Sequence, residues 1–118
     1  MLSETNMPRT SMISNDPPAA VAEALARLGR NIRTARLRRG MTQTNLAARI
    51  GASRFVVADL ERGKATTGIA AYLAALWVLG LLDQLTRVAD PALDEEGMLL
   101  ERARAPRRVR SKVVDDDF

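Results

Sequence analysis

The sequence predicts an all-α fold, and three observations lead to that prediction. Hydrophobic residues make up 47% of the 118 residues and aromatic residues only 3%, a balance that favours Ala- and Leu-rich helices over sheets. Apolar residues recur at helical spacing in successive stretches between residues 19 and 90. Capping and helix-ending residues separate these stretches. We therefore expect five helices in one domain over residues 19–90, with flexible tails at residues 1–18 and 91–118.

Two missing residue types narrow the class of protein. The chain has no cysteine and no histidine, so disulfide frameworks, thiolate metal sites and histidine-based acid–base chemistry lack their usual residues. The carboxylates show no paired apolar setting, and the chain has no glycine-rich phosphate loop. The sequence thus predicts a binding protein, not an enzyme, with no catalytic residue, no metal site and no cofactor.

Basic charge is concentrated on the predicted domain. Eleven of the 18 basic residues but only four of the 14 acidic ones lie between residues 21 and 89. This is the electrostatic footprint of a surface that binds phosphates, and it favours nucleic acid as a partner. The alternative is a solvated helical surface that is rich in arginine.

The apolar residues show no pattern of membrane insertion or export. No apolar run approaches the roughly 20 residues that span a bilayer. Residues 1–18 lack the basic-then-apolar order of a secretory signal. We expect a cytoplasmic protein, associated with the nucleoid through DNA and without a membrane partner.

Residues 19–39 carry the strongest helical pattern. An irregularity is expected near Gly29, and Gly40 is a plausible stop. Arg36 falls beside the apolar stripe, where an unpaired charge is costly, so it needs a partner. The stripe itself consists of Leu25, Leu28, Ile32 and Ala35.

Residues 42–64 predict two short helices joined by a tight turn. Thr42 caps the first helix and Gly51 ends it, while Ser53 caps the second and Gly63 ends that. This arrangement is a helix-turn-helix whose second helix would enter the DNA major groove. Its inward side chains are Leu46, Ala47, Ile50, Val57 and Leu60.

Three outward side chains of the second of these helices are candidates for reading bases. Arg54 can bond guanine O6 and N7, Phe55 can pack on a thymine methyl, and Asp59 can accept from cytosine N4. Each has a structural alternative. Arg54 can be an ordinary surface residue, and Phe55 can be buried against the first helix or a partner. Asp59 can simply pair with Arg62 or Arg54.

A second group of side chains is expected to contact DNA phosphates. Gln43 lies at the first position of its helix, where free N–H groups attract anions. Lys64 follows the third helix and is well placed for a phosphate, with a solvated lysine as the alternative. The predicted phosphate contacts are Gln43, Thr44, Ser53, Arg62 and Lys64.

Two further helices are expected at residues 69–79 and 81–89. The first is apolar nearly all round, which indicates a central position or an interface. Trp77 lies off its core line, and Trp77 and Leu81 are the candidates for contact with a second copy of the chain. In the last helix, Leu82, Leu85 and Val88 are expected to face inward.

The C-terminal segment changes character. An acidic stretch at residues 94–97 precedes a short helical pattern at residues 98–100. Apolar and basic residues then alternate over residues 108–113, a weak strand pattern. Such a strand could pair with a second subunit or a partner; a disordered tail is the alternative.

Residues 28–89 resemble the helix-turn-helix domain shared by phage repressors, Cro proteins and the Xre family. The stretch LGRNIRTARLRRGMTQTNLAARIGASRFVVADLERGK resembles that family's first three helices, with the spacing intact. The resemblance implies a five-helix, lambda-repressor-like fold. It further implies an ion pair between Arg36 and Glu61 that ties the first helix to the third, a phosphate contact from Gln43, and base contacts from the start and middle of the third helix.

The C-terminal part narrows this resemblance. The segment LGLLDQL, the acidic linker and RRVR…DDDF are similar to HipB-type antitoxins, which are encoded with HipA-type kinase toxins. The resemblance implies a homodimer that binds a palindromic operator, represses its own operon and holds the toxin inactive. Two alternatives stay open: a stand-alone Xre-type regulator without a toxin, and a protein-binding adaptor with Phe55 and Trp77 as anchors.

Overall fold

Most residues are helical in the computed structural model, which describes residues 13–105. Residues 19–104 contain five α-helices and two 3-10 helices, and none of the described residues lies in a strand. The all-α prediction is confirmed, whereas the predicted count of five helices does not match these seven. The α-helices are α1 (Ala19–Arg38), α2 (Gln43–Ile50), α3 (Arg54–Glu61), α4 (Ile69–Val78) and α5 (Glu95–Arg104), and the 3-10 helices are Leu82–Arg87 and Pro91–Leu93.

The described residues divide into two compact units, the first ending at Asp83 and the second beginning at Gln84. The first unit contains α1 to α4 and the hydrophobic core. Its contacts run between α2 and α3, α1 and α3, α2 and α4, and α3 and α4. The largest fully buried side chains come from all four helices: Ile32, Leu46, Val57, Leu60 and Tyr72.

Helix α1 is continuous through Gly29, where the sequence led us to expect an irregularity. A Cβ atom on Gly29 would lie 2.5 Å from the carbonyl oxygen of Glu61 and 2.6 Å from that of Leu60. Gly29 is therefore present because the backbones of α1 and α3 touch. A helix can include glycine without a break when the missing side chain permits such an approach.

Gly63 makes the second backbone contact with α1. Its φ angle is +74°, and a Cβ atom there would lie 2.6 Å from the backbone of Leu25. A residue with a side chain would thus meet both a conformational penalty and a clash. The end of α3 and the turn that follows it rest directly on α1, which fixes the direction in which α3 projects.

The helix predicted over residues 81–89 is shorter in the structure and is not an α-helix. The chain instead forms a 3-10 helix from Leu82 to Arg87, and Ala89 adopts a left-handed conformation with φ of 59°. Leu82, Leu85 and Val88 are three residues apart, a spacing that suits three residues per turn as well as it suits an α-helix. Leu82 and Val88 are exposed, so they do not form the inward stripe that we expected.

The second unit contains a regular helix inside the segment predicted to be a flexible tail. The Asp94 side chain accepts a hydrogen bond from the Gly97 N–H at 2.9 Å and so caps α5. Leu99 and Leu100 of α5 are exposed, and none of residues 84–105 is buried. The strand pattern at residues 108–113 and most of the predicted N-terminal arm lie outside the described residues.

Candidate nucleic-acid interface

Side-chain caps fix the starts of α2 and α3. The Thr42 hydroxyl accepts a hydrogen bond from the Asn45 N–H at 3.0 Å, and the Thr42 N–H donates to the Asn45 side chain at 3.2 Å. Ser53 caps α3 by accepting from the Val56 N–H at 3.3 Å. Both caps lie on exposed residues, and the other N–H groups of each first turn are available to anions. Thr44, a predicted phosphate contact, is exposed beside the first cap.

A buried ion pair joins α1 to the end of α3. Arg36 Nε donates to Glu61 Oε2 at 2.6 Å, and Arg36 Nη2 donates to Glu61 Oε1 at 3.0 Å. The two side chains are only 6% and 3% exposed. Arg36 Nη1 also donates to the carbonyl of Met41, which satisfies the third side of the guanidinium. The structure thus places a forked, fully desolvated pair at the point where Gly29 brings the two backbones together.

Gln43 adds the start of α2 to this network. Its Nε2 donates to Glu61 Oε1 at 3.1 Å. Glu61 therefore accepts hydrogen bonds from both α1 and α2 while it belongs to α3. Gln43 was predicted to bind phosphate through its amide; the structure uses one amide N–H internally and leaves a second N–H on the same nitrogen.

Arg54 and Phe55 form a stacked pair on the exposed face of α3. The Arg54 Cζ lies 4.8 Å from the centre of the Phe55 ring, within the range of a cation–π contact. The Phe55 side chain is 67% exposed. The alternative that the ring is buried against α1 does not fit this exposure. The ring contact restricts the orientation of the guanidinium, and Arg54 remains exposed.

Asp59 is paired with two of the predicted phosphate contacts. Its Oδ1 accepts from Arg62 Nη2 at 2.5 Å, and its Oδ2 lies 3.6 Å from Lys64 Nζ. Both cations are at least half exposed. Simple pairing with Arg62, one alternative drawn from the sequence, is what the structure contains, and Lys64 joins it. An Asp59 with both oxygens engaged is poorly prepared to accept from a base.

Tyr72 holds the loop that carries Lys64, a role that sequence reasoning missed. Its hydroxyl donates to the Lys64 carbonyl oxygen at 3.0 Å, and the residue is 1% exposed. Burial raises the pKa of the Tyr72 phenol above its usual value of 10.0, and the Asp59 carboxylate adds to the rise. One signal was available: a lone Tyr in an apolar helix needs a partner for its hydroxyl.

Four arginines of α1 face away from the core. They are exposed, and they give this helix a strongly basic outer surface against the single acidic residue Glu23. Their potential adds to that of α3 and its loop, and such a field raises the rate of encounter with a polyanion. The four residues are Arg27, Arg30, Arg33 and Arg38.

The two candidates for contact between subunits differ in exposure. Trp77 is 65% exposed on α4, while Leu81 is only half-buried beyond the end of the helix. Ile69 is also exposed, and it shares a helical face with Leu73 and Trp77 because the three are four residues apart. Ile69 and Trp77 thus give this face of α4 an exposed apolar surface within the first unit.

Comparison with known proteins adds one assignment to this geometry. A family model described as a helix-turn-helix domain matches residues 27–89, which is more than half of the chain. The matched region begins in α1 and includes α2, α3, α4 and the loop that Tyr72 holds. Neither the curated proteins nor the solved structures gave a match.

Proposed function

Because this chain belongs to the helix-turn-helix domain family, we propose that it is a sequence-specific DNA-binding repressor that acts as the antitoxin of a toxin–antitoxin operon. The family assignment indicates a DNA-binding regulator. The observation that carries the DNA-binding part of the proposal is the exposed face of α3. It presents the Arg54–Phe55 pair, and Gly29 and the Arg36–Glu61 pair hold the helix rigidly on α1.

The proposed contacts divide into two kinds. Arg54 and Phe55 contact the bases and select the sequence, while exposed donors around them bind the sugar–phosphate backbone. These donors are Thr44, Ser53, Arg62 and Lys64, together with the remaining N–H of Gln43. Their combined charge supports an affinity that falls steeply as salt rises, because each neutralised phosphate releases condensed counterions.

We further propose that the active form is a symmetric homodimer on a palindromic operator. Two copies of α3 would then lie about 34 Å apart, one turn of the DNA. The exposed face of α4 with Trp77 supports such an assembly, because contiguous apolar surface on a small domain marks a contact site.

The antitoxin role rests on the C-terminal resemblance to HipB-type proteins and on the character of the second unit. Its helix α5 exposes Leu99 and Leu100 and buries none of its residues, so it offers apolar side chains to a partner. A HipA-type kinase toxin is the proposed partner. A stand-alone Xre-type regulator without a toxin is the second candidate, because α1 to α4 would serve it equally well.

Two measurements test the proposal. Footprinting upstream of the gene should show protection of a palindrome, with binding that weakens as salt is raised. Co-purification with the product of the adjacent gene should recover a kinase-like protein; recovery of the repressor alone favours the stand-alone regulator. If no duplex binds at low salt, the protein-binding adaptor is favoured and the DNA-binding proposal fails.

A further inference from the structure

Arg54 and Phe55 form a single stacked unit on the exposed face of α3. An isolated phenylalanine that is 67% exposed contributes nothing to the core, yet here its ring carries the guanidinium of the preceding residue at 4.8 Å. Ser53 caps the helix immediately before the pair, so the backbone beneath both side chains is fixed. The free protein therefore already holds a planar donor group stacked against an apolar ring.

The two groups match two different features of adjacent base pairs. A guanidinium donates two parallel hydrogen bonds to guanine O6 and N7, and an apolar ring accepts the C5-methyl group of thymine. Neighbouring base pairs are stacked about 3.4 Å apart along the helix axis. The Arg54 Cζ and the centre of the Phe55 ring lie 4.8 Å apart, which is somewhat more than this spacing, so the two groups can reach two successive base pairs.

The neighbouring carboxylate does not compete for Arg54. Asp59 has its two oxygens directed to Arg62 and Lys64. The guanidinium of Arg54 consequently keeps its donors for a base, and its charge remains uncompensated by that acid. The stacked pair is therefore the part of α3 whose donors and apolar surface are both available to two adjacent base pairs.

We propose that Arg54 and Phe55 together read a two-base-pair step, a guanine beside a pyrimidine that carries a C5-methyl group. Thymine is the natural occupant, and 5-methylcytosine presents the same methyl group. The inference rests on the proposed DNA-binding function and specifies what its reading surface selects. The inference predicts that the guanine contact of Arg54 and the methyl contact of Phe55 are coupled. Loss of the Phe55 ring removes the surface that orients the Arg54 guanidinium.

The test uses the full chain and its footprinted operator with single-atom changes in the bases. Each thymine is replaced in turn by deoxyuridine, which lacks the methyl group, and each guanine by 7-deazaguanine, which lacks N7. We expect one thymine position per half-site at which uracil weakens binding about fourfold, the equivalent of one buried methylene group, ~0.8 kcal/mol. The adjacent guanine should be the position most sensitive to loss of N7.

Protein variants then assign the effects to the two side chains. Phe55→Ala should bind thymine and uracil duplexes equally, and replacement of guanine by 7-deazaguanine should weaken its binding less than it weakens that of the wild type. Arg54→Ala should bind the guanine and 7-deazaguanine duplexes equally. Phe55→Leu is the matched control, since it keeps an apolar group for the methyl but removes the aromatic face. It should retain the thymine preference and lose part of the guanine preference. At the thymine position, a 5-methylcytosine·guanine pair should bind the wild type more tightly than a cytosine·guanine pair, because only the first carries the C5-methyl group.

Failure of this inference is separable from failure of the proposed function. Salt-dependent protection of an operator with no uracil-sensitive thymine, or full methyl discrimination by Phe55→Ala, overturns the step-reading inference and leaves DNA binding intact. Absence of binding to any duplex at low salt overturns both. Both substituted residues are exposed and belong to no core contact, so the fold of each variant is expected to be unchanged by circular dichroism.

Discussion

Gly29 of α1 touches the carbonyl oxygen of Glu61 at the last residue of α3, leaving no space for a Cβ atom between the two helices. Together with the Gly63 contact and the Arg36–Glu61 pair, this contact explains how a helix of only eight residues is held in a defined direction. Isolated helices of that length are unstable in water, so α3 depends on what it packs against. The relationship between these two residues therefore underlies the presentation of Arg54 and Phe55.

Replacing Gly29 by Ala is expected to destabilise the first unit. A Cβ atom would lie 2.5 Å from one backbone oxygen and 2.6 Å from another, and backbone atoms cannot move aside as a flexible side chain can. Overpacking of this kind typically costs about 1–3 kcal/mol, which outweighs the gain of roughly 1 kcal/mol from alanine's helix propensity. Urea unfolding measures the difference in free energy. Gly68→Ala, at the N-cap of α4, is the control for the same substitution without a clash, because a Cβ atom there meets nothing within 4 Å. A stabilised Gly29→Ala protein would contradict the close approach.

Breaking the Arg36–Glu61 pair from one side is expected to cost about 3–5 kcal/mol of unfolding free energy, because the surviving charge is left buried without its partner. Arg36→Met and Glu61→Leu each remove one partner of a pair whose side chains are 6% and 3% exposed. The double variant should lose much less than the sum of the two single losses. Chemical denaturation of all four proteins gives the coupling free energy. Strictly additive losses would show that the two charges do not stabilise one another.

Tyr72→Phe is expected to cost about 1 kcal/mol at neutral pH, since the Lys64 carbonyl loses its hydrogen bond. The pH dependence has a definite sign. Because the folded state raises the pKa of the phenol, its contribution is complete below the usual value of 10.0 and is lost as the pH rises through the folded value. The wild type should therefore lose stability above about pH 10 more steeply than Tyr72→Phe. Urea titrations from pH 7 to pH 11 measure both curves, and parallel curves would contradict a raised pKa.

Asp59→Asn distinguishes a base-reading carboxylate from one that pairs with cations. If Asp59 only holds Arg62 and Lys64, its neutralisation frees both cations for phosphates. Affinity for random duplex should then rise several-fold at low salt, with a steeper salt dependence. A base-reading Asp59 would instead lose affinity for the operator alone. Gel-shift titrations on operator and random DNA separate the two outcomes. Glu23→Gln makes the same change of charge on the exposed side of α1 and serves as the control.

The sequence predicted the positions of α1 to α4 because each is bounded by local signals. Thr42 and Ser53 cap their helices through hydrogen bonds to N–H groups three residues later, a chemistry that depends only on neighbouring residues. The family resemblance added the pairing of Arg36 with Glu61, which are 25 residues apart. The helical periodicity alone indicates that the Arg36 charge needs a partner, but it does not identify Glu61 as that partner.

The features that were not predicted depend on contacts between distant residues, or on a residue spacing that fits both an α-helix and a 3-10 helix. Gly29 suggests a weak point in a helix until the backbone of α3 is placed against it. The link from Tyr72 to Lys64 joins a helix to the preceding loop; the apolar helix indicates that the Tyr72 hydroxyl needs a partner, but nothing in the local pattern identifies Lys64 as that partner. Residues 82–88 repeat every three positions, so the choice between α and 3-10 geometry was not determined by the pattern.

Trp77→Ser tests whether the exposed face of α4 joins two copies of the chain. The side chain is 65% exposed, so its loss should change the stability of the isolated unit by no more than about 0.5 kcal/mol. Buried tryptophans at interfaces are frequent hot spots worth about 2 kcal/mol or more. We therefore expect the dimer dissociation constant to rise by at least about 30-fold in sedimentation equilibrium. Binding to a duplex with two half-sites should weaken, while binding to a single half-site should not.

Leu37→Ser provides the matched control for that experiment. Leu37 is an exposed leucine of α1, outside the proposed interface, so its substitution removes apolar surface without touching the exposed face of α4. Its dissociation constant should equal that of the wild type. If Trp77→Ser and Leu37→Ser behave alike in sedimentation, the face of α4 is not the dimer contact. An unchanged preference for two half-sites over one would then place subunit pairing on another surface.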